Sequence, residues 1–253
     1  MEQFRELRVG TLNLRNTSDR WPERRPLLFE QLSALAPDLL GVQELRRPSR
    51  QARQLVRTTP AFHERSRYHI QPAWKTGPRH FWEGIGVLTR LPIVEWDRID
   101  LRSGDRVAQR VTVAMDAGTI LDFYNTHLSH ADESTAERLD QINVILQAIA
   151  RRPSHPCVIV GDLNATPDEP AIARLQDTFR SAFAAVHGRE PDATVPSPLS
   201  ATWGSEPKVI DYIFVSEQID VLDAWVTFDQ AADEDPRLTP SDHYGLAATI
   251  RVR

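Results

Sequence analysis

Alternating apolar and polar positions divide the chain into short strands with helices set between them. Leu7 to Leu14 alternates as a first strand, with Asn13 near its end. Glu23 to Leu35 carries Leu28, Leu32 and Leu35 at helical spacing, and Pro37-Asp38 ends it. Leu39 to Val42 reads as a buried strand with Gln43-Glu44 at its end. Pro48 to Arg57 reads as a helix, placing Arg46, Arg50, Arg53 and Arg57 on nearly one face. A solvated helix face is the simpler account of those arginines; a contact surface for phosphate backbones is the other. Gly84 to Thr89, Ile93 to Leu101, Gln109 to Met115 and Thr119 to Tyr124 follow as strands, and Asn125-Thr126-His127 ends the last of them. Glu133 to Arg151 is an amphipathic helix with Leu139, Ile142, Ile145, Leu146 and Ile149 on one stripe. Cys157 to Val160 is a short buried strand running into Gly161-Asp162-Leu163-Asn164. There Gly161 is expected to let the chain turn as it leaves the sheet. Pro170 to Ala185 reads as helical, possible breaks included. Val209 to Val215, Val221 to Phe228 and Leu246 to Val252 complete the strands.

Two stretches do not fit this rhythm. Residues 66 to 82 are rich in aromatic and hydrogen-bonding side chains: Tyr68, His69, Trp74, Lys75, His80, Phe81 and Trp82. Residues 187 to 207 are rich in Pro, Gly and Ser and predict a long surface loop that serves specificity. Neighbouring strands with short turns argue for mostly antiparallel sheets, and the longer helices separate the halves of the chain. The expected fold class is therefore α/β (α+β): two mostly antiparallel sheets packed face to face with helices outside. No repeat, linker or change of composition interrupts residues 1–253, so a single domain is expected.

Composition narrows the picture. The chain has 253 residues, 41% of them hydrophobic, enough for a substantial core. A net charge of −5 makes the whole molecule no electrostatic magnet for nucleic acid. Of its 30 basic residues only Lys75 and Lys208 are lysines, a compositional habit that also suits phosphate contacts. Cys157 is the only cysteine, which excludes a disulfide and a thiolate metal cage. The charged N-terminus lacks an apolar signal core, and no apolar run approaches membrane-spanning length. A cytoplasmic monomer is the expectation.

Polar residues recur where the apolar runs stop: Asn13, Glu44, Asn125, His127, Asp162, Asn164, Asp211, Asp242 and His243. Any one of them alone is an ordinary turn or cap residue. Together, carboxylates and amides without cysteine favour a hard, oxygen-loving cation such as magnesium or manganese. Zinc is the alternative, without a short-spaced histidine pair to support it. The histidines add groups that titrate near neutrality. Such a set suits phosphoester hydrolysis, with the phosphate charge neutralised, a water oriented by a carboxylate, and donors stabilising the pentacoordinate centre.

The ordered set Gln43-Glu44, Asn125-Thr126-His127, Gly161-Asp162-Leu163-Asn164, Ile210-Asp211-Tyr212 and Ser241-Asp242-His243 resembles the endonuclease/exonuclease/phosphatase family, with its deoxyribonuclease I-like fold. The resemblance spans residues 13 to 243. It implies a four-layer sandwich and a divalent-metal phosphoesterase whose site lies at one edge. It implies Glu44 as principal metal ligand with Asn13 beside it, and Asp242 as a ligand or organiser of the metal site. Asp162 would orient or deprotonate water, and Asn164 would contact the scissile phosphate. His127 would donate to a phosphate or leaving-group oxygen, Asn125 would contact substrate or fix the loop, and Asp211 would act from behind. His243 would stabilise or protonate the reacting phosphate. Glu83 is expected either to orient His127 or to be a surface acid, Arg138 and Gln141 to brace the site, and His130 to be solvated.

The substrate is less legible. A phosphodiesterase or phosphatase of nucleotidic or other small phosphorylated molecules is the leading expectation, and a DNA or RNA nuclease is the alternative. A catalytically silent binding module is a third reading, against which Glu44, Asp162 and both histidines argue. The stretch 66 to 82 is expected to be an aromatic loop that offers stacking for a base or sugar, or simply core packing.

Overall fold

The computed structural model describes residues 6–57, 68–115, 118–130, 135–152, 154–200 and 206–253. The expected helix start at Glu133, residues 66–67 of the aromatic stretch and residues 201–205 of the long loop lie outside the described residues. So do the side chains of Arg57 and His80.

The chain opens one sheet with β1 (Glu6–Asn13), crosses through helix α1 (Trp21–Leu35) and returns as β2 (Leu39–Arg46). Helix α2 (Gln51–Arg57), β3 (His69–Trp74), a 3-10 turn (Gly77–Phe81) and β4 (Glu83–Thr89) follow. A second sheet begins with β5 (Ile93–Asp100), β6 (Val107–Ala114) and β7 (Ile120–His127). It continues through helix α3 (Thr135–Ala150), β8 (Cys157–Asp162), helix α4 (Pro170–Gln176), β9 (Arg180–Ser181), helix α5 (Ala182–His187) and β10 (Asp211–Val215). The chain then rejoins the first sheet as β11 (Ile219–Thr227) and β12 (Gly245–Val252).

Strand order is β11-β12-β1-β2-β4-β3 in one six-stranded sheet and β5-β6-β7-β8-β10-β9 in the other. Both are antiparallel but for one parallel pair each, β1 with β2 and β7 with β8. Parallel neighbours need a crossover, and α1 and α3 supply it. The carboxyl ends of each parallel pair therefore point the same way.

Four layers result. Leu7, Val9, Val87, Val111, Phe123, Val158 and Val160 fill the space between the sheets. Leu28, Leu32 and Leu35 of α1 cover the outer face of the first sheet. Ile142 and Ile145 of α3, with Ile172 and Leu175 of α4, cover the second. Each such fully buried aliphatic side chain contributes roughly 1.5–3 kcal/mol relative to exposure.

Three expectations are corrected here. Residues 69–74 are not part of a loop but form β3. Pro72 within the run hid it, yet β3 ends the strand order, and an edge strand tolerates a residue without an N–H. Residues 170–185 are not one helix, since β9 divides α4 from α5. Gly161 does not turn the chain out of the sheet. It lies inside β8, paired with Thr126 on one side and Tyr212 on the other.

What Gly161 provides is close approach. Its φ is 149°, and a Cβ there would lie 2.1 Å from the Thr126 carbonyl oxygen. On the facing sheet a Cβ on Gly41 would lie 2.4 Å from Val160 Cγ2 and 2.8 Å from Asn125 Oδ1. Two glycines thus let the two parallel pairs press together where the sheets meet. Gly161→Ala is expected to lower Tm by about 6–12 °C, through a backbone clash of about 3 kcal/mol. Gly188 also has a positive φ, of 74°, but nothing lies within 4 Å of a Cβ there. Gly188→Ala should therefore cost only about 1 kcal/mol. Equal melting temperatures for the two variants would contradict this account of Gly161.

Candidate active site

The ends of the two parallel pairs meet across the sandwich. Asn13, the last residue of β1, donates from Nδ2 to Glu44 Oε1 at 3.2 Å and to Asp162 Oδ2 at 2.9 Å. One amide thus ties β1 and β2 to the end of β8 in the other sheet. Glu44 reaches this point through a bulge. The pairing of β2 with β4 slips between Val42 and Leu45, and Glu44 adopts φ 53°. Left-handed backbone is uncommon for a glutamate, and such strain concentrates at functional sites. Arg15, at φ 53°, shares this backbone conformation, as does Asn164, at φ 49°. Its Nδ2 donates to the Leu128 carbonyl at 3.1 Å, and its backbone N–H donates to Asp162 Oδ1 at 3.0 Å.

Glu44, His127, Asp162, Asn164, Asp242 and His243 line one cleft of about 430 Å³, together with Arg15, Lys75, Trp82, Glu83, Arg106 and His130. His127 Nε2 lies 3.4 Å and His243 Nε2 3.9 Å from Asp162 Oδ2. His243 Nδ1 pairs with Asp211 Oδ2 at 2.9 Å. Asp162, Asp211 and His243 also offer atoms within 4.8 Å of one another, a spacing that could hold a metal. The Nδ1 contact already joins two of these three, so the set reads first as a carboxylate–imidazolium–carboxylate chain.

Electrostatics separates the titrating groups. Burial alone would lower His243, but Asp211 and then Asp162 and Asp242 outweigh it and raise the imidazole to about 10. Burial, with Arg106 and Lys75 nearby, pushes His127 well below its usual value, so this ring is neutral. Burial and the charge of Asp211 raise Asp162 to about 6. Burial, Glu83 and Asp242 raise Glu44.

Asn125 and Asn13 do other work than expected. Asn125 is fully buried between the sheets and does not line the cleft. Its Oδ1 accepts from Gln43 Nε2 at 2.7 Å, and its Nδ2 donates to the carbonyls of Val42 and Gly86. Those carbonyls belong to the last matched pair before the β2 slip, so Asn125 props the bulge that aims Glu44. It has no route to a substrate. Asn13 turns its Oδ1 to the backbone N–H of Arg15 at 2.9 Å and faces the carboxylates with its amide. Bridging acids, rather than ligating an ion, is the role this geometry supports.

Other corrections concern the walls. Glu83 forms an ion pair with Lys75 instead of orienting His127. His130 is exposed, but its Nδ1 lies 3.0 Å from Arg106 at the cleft. The loop expected at the surface at 187–207 is anchored in its described part, with Thr194, Ser197 and Ser200 buried. Thr194 Oγ1 accepts from the N–H groups of Ile210 and Asp211, while Ser197 donates to the carbonyls of Ser241 and Asp242. This strap holds the Asp211 and Ser241-Asp242-His243 segments together. Gln141 accepts from the Ser129 N–H at 3.0 Å, and Arg138 donates to the Ser129 carbonyl at 3.4 Å, so both brace the chain just past His127.

Several residues at the site carried no expectation. Asn16 Nδ2 donates to Glu44 Oε2 at 3.3 Å, and Arg15 Nε lies 3.4 Å from Asp242 Oδ2. Arg24 is fully buried and donates to the carbonyls of Leu14, Arg15, Ser18, Asp19 and Pro240. Burial lowers its guanidinium to about 10, so it stays charged at neutral pH and pins the loop after β1 to the segment before Ser241. An arginine followed by another in a helix gives no sequence signal for this. Lys75 had one, as one of only two lysines in an arginine-rich chain.

The comparisons with known proteins agree with this architecture. A family model described as the Endonuclease/Exonuclease/phosphatase family matches residues 10–243. Among solved structures, an endonuclease/exonuclease/phosphatase from Bacteroides vulgatus superposes with a TM-score of 0.80 at 18% identity, covering 98% of this chain and 100% of that one. The catalytic domain of human Nocturnin with bound sulfate gives 0.77 at 21% identity, covering 98% and 94%. TDP2 from Caenorhabditis elegans gives 0.79 at 19%, covering 99% and 77%. Identities this low carry the deoxyribonuclease I-like fold and nothing about the reaction. No curated protein matches the chain.

The His243–Asp211 pair predicts a titration. Its folded value of about 10 exceeds the usual 6.5. The pair therefore stabilises the fold fully below about pH 6.5 and loses that contribution as pH rises through about 10. In metal-free protein, imidazole 15N shifts should report His243 protonated at pH 8 and His127 neutral. Asp211→Asn should return His243 to neutral at that pH. Two histidines that both titrate near 6.5 in the parent protein would contradict the assignment.

Proposed function

The chain belongs to the endonuclease/exonuclease/phosphatase family, and from that membership and the cleft we propose that it is a divalent-metal-dependent phosphoester hydrolase. Nucleotidic or other small phosphorylated molecules are its proposed substrates. The observation that carries this reading is convergence. Glu44, His127, Asp162, Asn164, Asp242 and His243, scattered along the sequence, line one cleft.

The donor set suits magnesium or manganese, because every acid in the cleft offers hard oxygen and no thiolate is near. Burial, and then Glu83 and Asp242, raise the Glu44 carboxyl, and a bound cation would favour its charged form. Glu44 and Asp242 are the proposed holders. A bound ion would neutralise phosphate oxygens and act as a Lewis acid.

The remaining steps belong to the side chains. Asp162, ionised above about pH 6, orients the attacking water and accepts its proton. Asn164 has a second amide hydrogen, beyond the one given to Leu128, to place on the scissile phosphate. Neutral His127 donates to a phosphate oxygen. His243, kept protonated by Asp211, stabilises the developing charge and can supply the leaving oxygen with a proton. A nuclease is the second reading, and the groove described below favours it.

Two outcomes follow. Chelation should abolish hydrolysis of bis(p-nitrophenyl) phosphate, magnesium or manganese should restore it, and Glu44→Gln should weaken metal binding measured by calorimetry. Full activity after exhaustive chelation would contradict the mechanism. Asp162→Asn should leave substrate affinity nearly unchanged and lower kcat about 10³-fold. A kcat within a few-fold of the parent would make Asp162 structural.

A further inference from the structure

The arginines spaced along residues 46–53 converge on a groove outside the cleft, and the proposed chemistry makes no use of them. Arg46, Arg47, Arg50 and Arg53 line a recess of about 530 Å³ together with Tyr68 and Trp74. Among the described residues that line it, none is a carboxylate. Yet the chain as a whole carries a net charge of −5. Like charges gathered in one recess repel, so this composition suits a polyanion.

Two of the guanidiniums lie over rings. Arg47 is 5.2 Å from the centroid of Trp74, and Arg46 is 5.8 Å from that of Trp82. Stacking fixes a guanidinium's plane and presents its N–H fork edge-on, the geometry that phosphate oxygens accept. The groove and the cleft adjoin. Trp74 lines the groove while the next residue, Lys75, lines the cleft. Trp82 also lines the cleft, is 56% exposed, and accepts the Arg47 N–H on its carbonyl at 3.0 Å.

We propose that this groove is a subsite for single-stranded nucleic acid whose scissile phosphodiester lies in the cleft. The arginines hold the phosphates of neighbouring nucleotides, and Trp82 stacks on a base where the strand crosses from one recess to the other. The inference rests on the phosphoester reading above. Arginines interleaved with aromatic side chains follow a flexible strand without reading its sequence. A membrane surface is another polyanion, but a recess between α2 and β3 admits a strand more readily than a plane of headgroups.

The test is fluorescence anisotropy with a labelled short poly(dT) strand, in chelator so that nothing is cleaved, over a range of salt. The variant is Arg47→Gln/Arg50→Gln/Arg53→Gln, checked by its thermal melt. Each phosphate contact on a single strand contributes about 0.7 to the slope of log K against log salt. The variant's slope should therefore be shallower by about 2, and its affinity about tenfold weaker or more at 0.1 M salt. Its magnesium-dependent hydrolysis of bis(p-nitrophenyl) phosphate should match the parent rate. No binding by the parent, equal slopes, or tighter binding to phosphatidylserine vesicles than to the strand would overturn the subsite. Strand binding through the groove by a parent that hydrolyses no phosphodiester would keep the subsite and remove the phosphoester reading.

Discussion

The amide of Asn13 is the contact on which the cleft depends. It donates at once to Glu44 and to Asp162, residues that end strands in different sheets. Removing it would leave the half-buried Glu44 carboxylate facing the buried Asp162 with no donor between them, in surroundings where charge repulsion is little screened. The sandwich makes this contact possible. Each sheet contributes one parallel pair, each pair needs a crossover helix, and the carboxyl ends of both pairs open on the same cleft. The glycines at 41 and 161 allow the backbones to approach closely enough for the amide to reach.

Around that contact the protein gathers five carboxylates and, facing them, the cations Arg15, Lys75, Arg106 and protonated His243. Glu44, Asp162, Asp242 and Glu83 line the cleft, and Asp211 lies buried behind His243. Part of the compensation is internal. Lys75 pairs with Glu83, Arg15 approaches Asp242, and His243 takes the charge of Asp211. Arg24 compensates in another way, by spending its donors on carbonyls and so holding two loops of the site in register. Burial first, and the neighbouring carboxylates second, raise Glu44 and Asp162. The cleft thus sets hard carboxylate oxygens beside a protonated histidine.

Much of this was legible in the sequence, because apolar runs followed by polar residues mark strand ends, and strand ends are where a sandwich exposes function. The layers and the six residues of the cleft could be read that way. The rest depended on tertiary contacts without a local signature. Asn125 looks like a site residue because it belongs to the Asn-Thr-His run, yet the bulge in β2 claims its amide. β3 was hidden by Pro72, which only its edge position makes tolerable. The Pro- and Ser-rich segment looked like a surface loop because its polar side chains satisfy one another and the backbone of the Ser-Asp-His segment out of sight of solvent.

Where a hard cation binds decides the role of Glu44. Anomalous diffraction at the manganese edge, from crystals soaked in manganese, locates the ion without reference to activity. The prediction is an ion in the cleft with the Glu44 carboxylate among its ligands. Manganese found only at surface carboxylates, or held by Asp162, Asp211 and His243 with Glu44 uninvolved, would contradict it.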